Sequence, residues 1–193
     1  MIEQLLIIAA VTLFGLQHSG MSALGVKERI IDRWGKQGYS RIFNITSAVT
    51  LFLAFLSMNY WEWFYFIITP ELVNLYMFAT GILLVVLGLV VATRASSVIS
   101  VSTVADMRTD RRPELVTDGI YSQVRHPLYL ATLLMLIGMM LIYPFLNIVV
   151  FSLSLIVYVQ IGAYLEEKKL VHHYGDDYLD YRKQAGFMLP KRG

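Results

Sequence analysis

The sequence predicts an all-α integral membrane protein with five transmembrane helices and a cytoplasmic C-terminal segment. Three observations lead there. Of 193 residues, 56% are hydrophobic and only 16% are charged, whereas a soluble domain carries about 25% charge; the mean hydropathy is +0.58. All 16 Lys and Arg fall in three blocks separated by long apolar runs. The last of those runs, Leu128 to Leu165, holds 38 residues without a charge.

The first span is expected at about residues 5–26, since about 20 apolar residues at 1.5 Å each cross a bilayer. A cleaved signal peptide is the rival reading. It is disfavoured by Glu3 in place of a basic n-region and by the lack of a clean small-x-small site. A basic, Gly-containing loop is expected at Lys27 to Arg41, and a second span at about 42–59. The YWEWFY stretch at residues 60–65 reads as an aromatic belt at the outer interface. Thr69, Pro70 and Glu71 mark a turn and a helix start. The third span follows at about 72–93, where Gly81 and Gly88 are weak evidence for a close helix contact.

Residues 94–126 form the longest polar stretch. Its start, ASSVISVSTVAD, reads equally as a short strand or an interfacial helix, and Gly119 permits a tight turn. The final apolar run would measure about 57 Å as one helix, against a hydrocarbon core of about 30 Å. Pro144 and Asn147 near its middle therefore divide it into spans at 128–143 and 145–165. The first of these is short, which calls for tilt, local thinning or a site sunk below the surface.

With these five spans, every Lys and Arg lies on one side, the inside, with the N-terminus outside. The whole chain, 1–193, reads as a single domain with an inner tail at 166–193. The chain has no cysteine, which excludes disulfides, thiolate metal sites and a cysteine nucleophile. No spacing of His, Asp or Glu suggests a metal. Acidic residues interspersed with the basic ones argue against nucleic acid as a partner. No glycine-rich phosphate loop or dinucleotide fingerprint is present.

The polar groups that carry chemistry converge on the inner face. Arg125 and His126 precede Pro127 at the head of the fourth span, where unpaired amides and the positive helix end favour an anion. A basic flank anchored to lipid phosphate is the ordinary alternative, at even odds. Glu166 and Glu167 close the fifth span about 100° apart, so one can face the bundle, to pair with Arg125 or to bind a cation. Tyr174, Tyr178 and Tyr181 share one helical face that packs on a surface or lines a pocket. His18 is a lone imidazole in an apolar helix, equally a functional group or a structural hydrogen bond.

The ordered set Gly119-x-Tyr121, Arg125-His126-Pro127-x-Tyr129, Glu166-Glu167, Gly175-x-x-Tyr178-x-x-Tyr181 and Pro190 resembles the isoprenylcysteine carboxyl methyltransferase superfamily, with its phospholipid and small-thiol members. GLQHSGMSALGVKERI, followed by GYSRIFNITS, is more loosely similar to NnrU-like proteins and methanethiol S-methyltransferases. The resemblance implies S-adenosylmethionine as donor and a C-terminal segment that closes over it. It implies that Gly119, Tyr121, Arg125, His126 and Tyr129 surround the donor from one side, and that Glu166 or Glu167, with Tyr178 and Tyr181, closes it from the other. Arg125 would position donor or acceptor, Glu167 would orient the site, and His18 would serve as base toward a thiol. A small thiol or other membrane-accessible acceptor is expected, in a bacterial or archaeal cytoplasmic membrane. A prenylated cysteine carboxylate, a phospholipid amine, or a noncatalytic binding or transport protein are the alternatives. Against transport, Asn44 and Asn147 are too few to mark a polar path through the spans.

Overall fold

The computed structural model describes residues 1–98 and 115–191. These are almost wholly helical: α1 (Ile2–Ser22), α2 (Leu24–Leu56), a one-turn α3 (Tyr65–Ile68), α4 (Leu75–Val98), α5 (Pro127–Ile142), α6 (Leu146–Tyr174) and α7 (Asp176–Gln184). Among the described residues the only strand-like feature is one isolated parallel bridge, Val124 with Gly186.

Among the described residues four helices, rather than the five expected, are long and apolar enough to cross a membrane: Ile2–Ser22, Gly25–Leu56, Leu75–Val98 and Leu146–Tyr174. The fifth candidate, α5, is apolar but has 16 residues, about 24 Å. Tilting, allowed for in the sequence reading, would shorten its reach further. Leu83, Val86, Leu87 and Val90 of α4 are all exposed. A continuous surface of this kind suits lipid, not water.

Two further expectations are corrected. The basic stretch 27–41 is helical, not a loop. It belongs to α2 and is broken only at Gly35, whose φ of 70° lies in the left-handed region. Charged residues tolerate a helix well when one face meets water, so charge alone was a poor loop signal. The fifth apolar segment continues as helix to Tyr174, well past Leu165, because nothing before Gly175 stops it. Gly175 adopts φ 58° and starts α7. At Pro70 the chain makes a single 3₁₀ turn, Pro70–Leu72, and α4 starts three residues later. The strand-or-helix question is settled only as far as Val98, where α4 ends; the rest of ASSVISVSTVAD lies outside the described residues.

The chain divides into two compact units: Met1–Leu75 with Tyr143–Tyr158, and Tyr76–Ile142 with Val159–Gly193. In the first, α1 and α2 are zipped by side-chain hydrogen bonds. Gln17 donates to Thr46 at 2.6 Å, and Thr50 donates to Gln17 at 3.2 Å. The aromatic belt stacks on the turn between α5 and α6: Trp63 lies 4.7 Å from Tyr143, and Tyr65 lies 5.0 Å from Phe145, ring to ring. Buried Asn147 accepts from Gln4 and donates toward Glu3 and Glu62.

In the second unit, α4 and α5 approach through small residues. A Cβ on Gly81 would stand 2.7 Å from the Gly138 carbonyl oxygen, and one on Gly88 would stand 2.9 Å from that of Ala131. The two glycines that the sequence offered as weak evidence thus define one seam, seven residues apart on each helix. Replacing Gly138 with Leu is expected to force the helices apart. The expected destabilisation is about 1–3 kcal/mol, seen as a lower melting temperature in detergent; an unchanged melt would mean that the seam does not hold the two helices.

Candidate functional site

The site is built from the residues around Pro127, the C-terminal end of α6, and the C-terminal segment, all in the second unit. Gly119, at φ 59°, opens a 3₁₀ turn, Gly119–Ser122, that brings the chain to Arg125. This is the tight turn expected of that glycine. The tail then returns alongside. The Gly186 amide donates to the Gln123 carbonyl at 2.9 Å, the Arg125 amide to the Gly186 carbonyl at 2.8 Å, and the His126 amide to the Phe187 carbonyl at 3.1 Å.

At the centre is Glu167, 7% exposed. One carboxylate oxygen accepts from Arg125 Nε at 2.9 Å, His126 Nε2 at 2.9 Å and Tyr178 Oη at 2.6 Å. The other lies 3.3 Å from Arg125 Nη2 and 3.3 Å from Arg182 Nε. Arg125 Nη1 also donates to the carbonyls of Ala185 and Arg182. Four of the five guanidinium N–H groups are therefore engaged inside the chain.

The charge-free part of α6 ends at Leu165, so this cluster lies beyond its apolar portion. Burial would raise the Glu167 carboxyl. The hydrogen bonds from Arg125, Tyr178 and His126, with the Arg125 charge, outweigh that effect and hold it at about 2, against an ordinary 4.5. A depressed carboxyl stabilises the fold fully above its ordinary value and loses that contribution only as pH falls toward 2. Burial, followed by the Glu167 hydrogen bond and charge, pushes the Tyr178 phenol far up. Burial first also pushes Tyr181 up to about 12. Both phenols therefore remain proton donors. Tyr181 gives its proton to the Tyr121 carbonyl at 2.6 Å.

Tyr178, Tyr181 and Ala185 form a buried cluster, with Tyr174, Leu170, Val171 and Leu115 packed against it. The three tyrosines thus share one face across the Gly175 break. Tyr129 lies against Gly162, 3.8 Å from its hydroxyl to where a Cβ would stand. His126 meets Tyr129 and Phe187 edge-on at 5.5 and 5.0 Å. Glu166 is different from its neighbour. Its side chain is 28% exposed, and His126 Nδ1 lies 3.9 Å from its carboxylate.

The cluster therefore joins Gly119, Tyr121, Arg125, His126, Tyr129, Glu166, Glu167, Tyr178 and Tyr181. His18 belongs to the first unit. Its Nδ1 lies 3.2 Å from Ser47 Oγ, and its ring packs near Phe43 at 4.7 Å and Phe14 at 5.4 Å. Several contributors escaped sequence reasoning: Arg182, the Ala185 carbonyl, Phe187, Gly186 and Lys191. Lys191 caps α7 by donating to the carbonyls of Arg182 and Lys183 at 2.9 and 2.8 Å. Gly186, isolated in a tail, was the one available signal. Among the described residues no three His, Asp, Glu or Cys side chains are placed to hold a metal.

Residues 76–177 match the family model described as phospholipid methyltransferase. The methanethiol S-methyltransferase of Pseudomonas deceptionensis is 27% identical over 93% of this chain and 70% of that protein. Protein-S-isoprenylcysteine O-methyltransferase from Schizosaccharomyces pombe is 40% identical over 39% of this chain and 33% of its own. The mouse enzyme of the same name is 33% identical over 63% and 44%, respectively. No solved structure matches the chain.

Proposed function

We propose that this chain, which belongs to the phospholipid methyltransferase family and is a membrane methyltransferase that uses S-adenosylmethionine, methylates the sulfur of a small thiol. The observation that carries the acceptor is the near-complete overlap, 93% of this chain, with a methanethiol S-methyltransferase. The isoprenylcysteine enzymes match at higher identity but over a smaller share of the chain. That pattern supports a prenylcysteine carboxylate only as the second reading.

The donor supplies a methyl group on a cationic sulfur. The chemistry of the cluster suits it. Among the described residues no donor comes within hydrogen-bond length of the Glu166 carboxylate, which leaves it to a cation. The positive N-terminal end of α5, at Pro127 and Leu128, favours a carboxylate. Gly119, Tyr121, His126, Tyr129, Tyr178 and Tyr181 supply ring surface and a tight turn around the donor. Arg125 and Glu167 lock the tail in place over it. His18, whose Nδ1 lies 3.2 Å from Ser47 Oγ, is the base proposed for the thiol. Enclosure from water favours a transfer in which the donor's positive charge disappears, and alignment of the two sulfurs supplies much of the rate.

In this reading residues 1–193 act as one methyltransferase domain. α5 is a fifth, short span in a locally thinned bilayer, the N-terminus is outside, and the tail is cytoplasmic. The Arg125–Glu167 pair supports the α5–α6 hairpin, since it joins the start of one helix to the inner end of the other. All three basic blocks then lie inside.

The test is product analysis. Membranes containing the protein, given labelled donor and offered methanethiol, a farnesylcysteine ester precursor and phosphatidylethanolamine in parallel, should label dimethyl sulfide predominantly. Label in the prenyl or lipid product alone would refute the thiol assignment.

A further inference from the structure

We infer that the two adjacent carboxylates divide the work: Glu167 is a positioning residue that buckles the tail to Arg125, and Glu166 is the group that faces the donor's cationic sulfur. The inference rests on S-adenosylmethionine being bound at this site.

The division follows from counting lone pairs. A carboxylate accepts at about four positions. Glu167 already meets five donor groups from Arg125, His126, Tyr178 and Arg182. It is also buried at 7% exposure, with both oxygens already engaged. Glu166 presents the opposite case. Adjacent helical positions diverge by about 100°, so it cannot share Glu167's surroundings. Among the described residues its one ion-pair contact is His126 Nδ1, 3.9 Å away, beyond hydrogen-bond length. His126 Nε2 instead meets Glu167 at 2.9 Å, so the closer of the ring's two carboxylate contacts belongs to Glu167. Glu166 nevertheless stays within the cluster. After burial, its charge is the second cause that raises the Tyr121 phenol, and Tyr121 sits in the turn opened by Gly119. A carboxylate with no hydrogen-bond donor among the described residues, beside the residues expected around the cofactor, is where a sulfonium gains most.

This placement has a consequence for turnover. The donor's sulfur is positive and that of the product, S-adenosylhomocysteine, is neutral. A carboxylate facing that sulfur draws in the first and holds the second less tightly. Glu166 therefore separates substrate from product by charge, whereas Glu167 affects both alike through the shape of the site.

The test compares the affinities of S-adenosylmethionine and S-adenosylhomocysteine for the full-length detergent-purified protein and two isosteric variants. Glu166→Gln should weaken the sulfonium ligand by about tenfold, the factor that corresponds to about 1.4 kcal/mol, and leave the thioether ligand almost unchanged. Its tail should resist trypsin as in the parent protein, which shows that it is folded. Glu167→Gln should weaken both ligands together, keep their ratio, and expose Arg182 and Lys183 to trypsin. An unchanged ratio in Glu166→Gln would overturn the inference and make Glu166 an ordinary solvated neighbour of Lys168 and Lys169. A ratio shift in Glu167→Gln without tail release would overturn it in the other direction. Binding of neither ligand by the folded parent protein would overturn the cofactor site itself, and this inference with it.

Discussion

Arg125→Ala is expected to abolish methyl transfer and to lower S-adenosylmethionine affinity by about a hundredfold, while the protein still enters the membrane in normal amounts. The guanidinium does two jobs that alanine cannot. It neutralises Glu167 through a two-point contact at 2.9 and 3.3 Å, and it donates to the Ala185 and Arg182 carbonyls of the tail. Removing one partner of a buried pair costs about 3–5 kcal/mol, because the other charge stays behind. Here Arg182, His126 and Tyr178 remain beside the carboxylate, so the lower end of that range applies. Arg125→Lys keeps the charge but loses the planar fork, and should recover only part of the affinity. Insertion depends on the apolar spans, which none of these changes touches. Activity at the parental level in Arg125→Ala would show that the clasp is dispensable.

The second large effect is expected from Gly186→Val. Any Cβ at this position would collide with the Leu189 carbonyl and stand 2.9 Å from the Lys191 amide. These are backbone atoms and cannot rotate away. The strap must move, and with it go the Gly186–Gln123 and Arg125–Gly186 main-chain hydrogen bonds. The expected result is rapid trypsin cleavage after Arg182 or Lys183, together with loss of donor binding. Helices α1, α2 and α4 remain protected because the substitution changes only the tail. Retained tail protection would mean that the strap can be rebuilt around a side chain.

Much of this arrangement can be read in the chain before folding, and the reasons are physical. An uncharged run too long for one crossing, with a proline in its middle, has to fold back. That brings Arg125 and the Glu166–Glu167 pair to the same end. The sequence reading left two roles open for a glutamate there, pairing with Arg125 or meeting a cation. The structure assigns the first to Glu167 through an 8% and 9% exposed ion pair. The helix through residues 27–41 was misread because its charges resemble a loop, although Gly35 did mark its one break. The extension of α6 is not legible because apolar character ends at Leu165 while the helix runs on to Tyr174. The strap at 185–187 was invisible for a different reason. It is held by main-chain hydrogen bonds and by donations to carbonyls, which any sequence can supply.

The most direct measurement is calorimetric titration of S-adenosylmethionine into the purified full-length protein and into Arg125→Ala. Micromolar binding by the parent, lost in the variant while its spans remain folded, is the outcome expected if the Arg125–Glu167 clasp assembles the donor site. Equal affinity in the two proteins would contradict it and place the donor elsewhere.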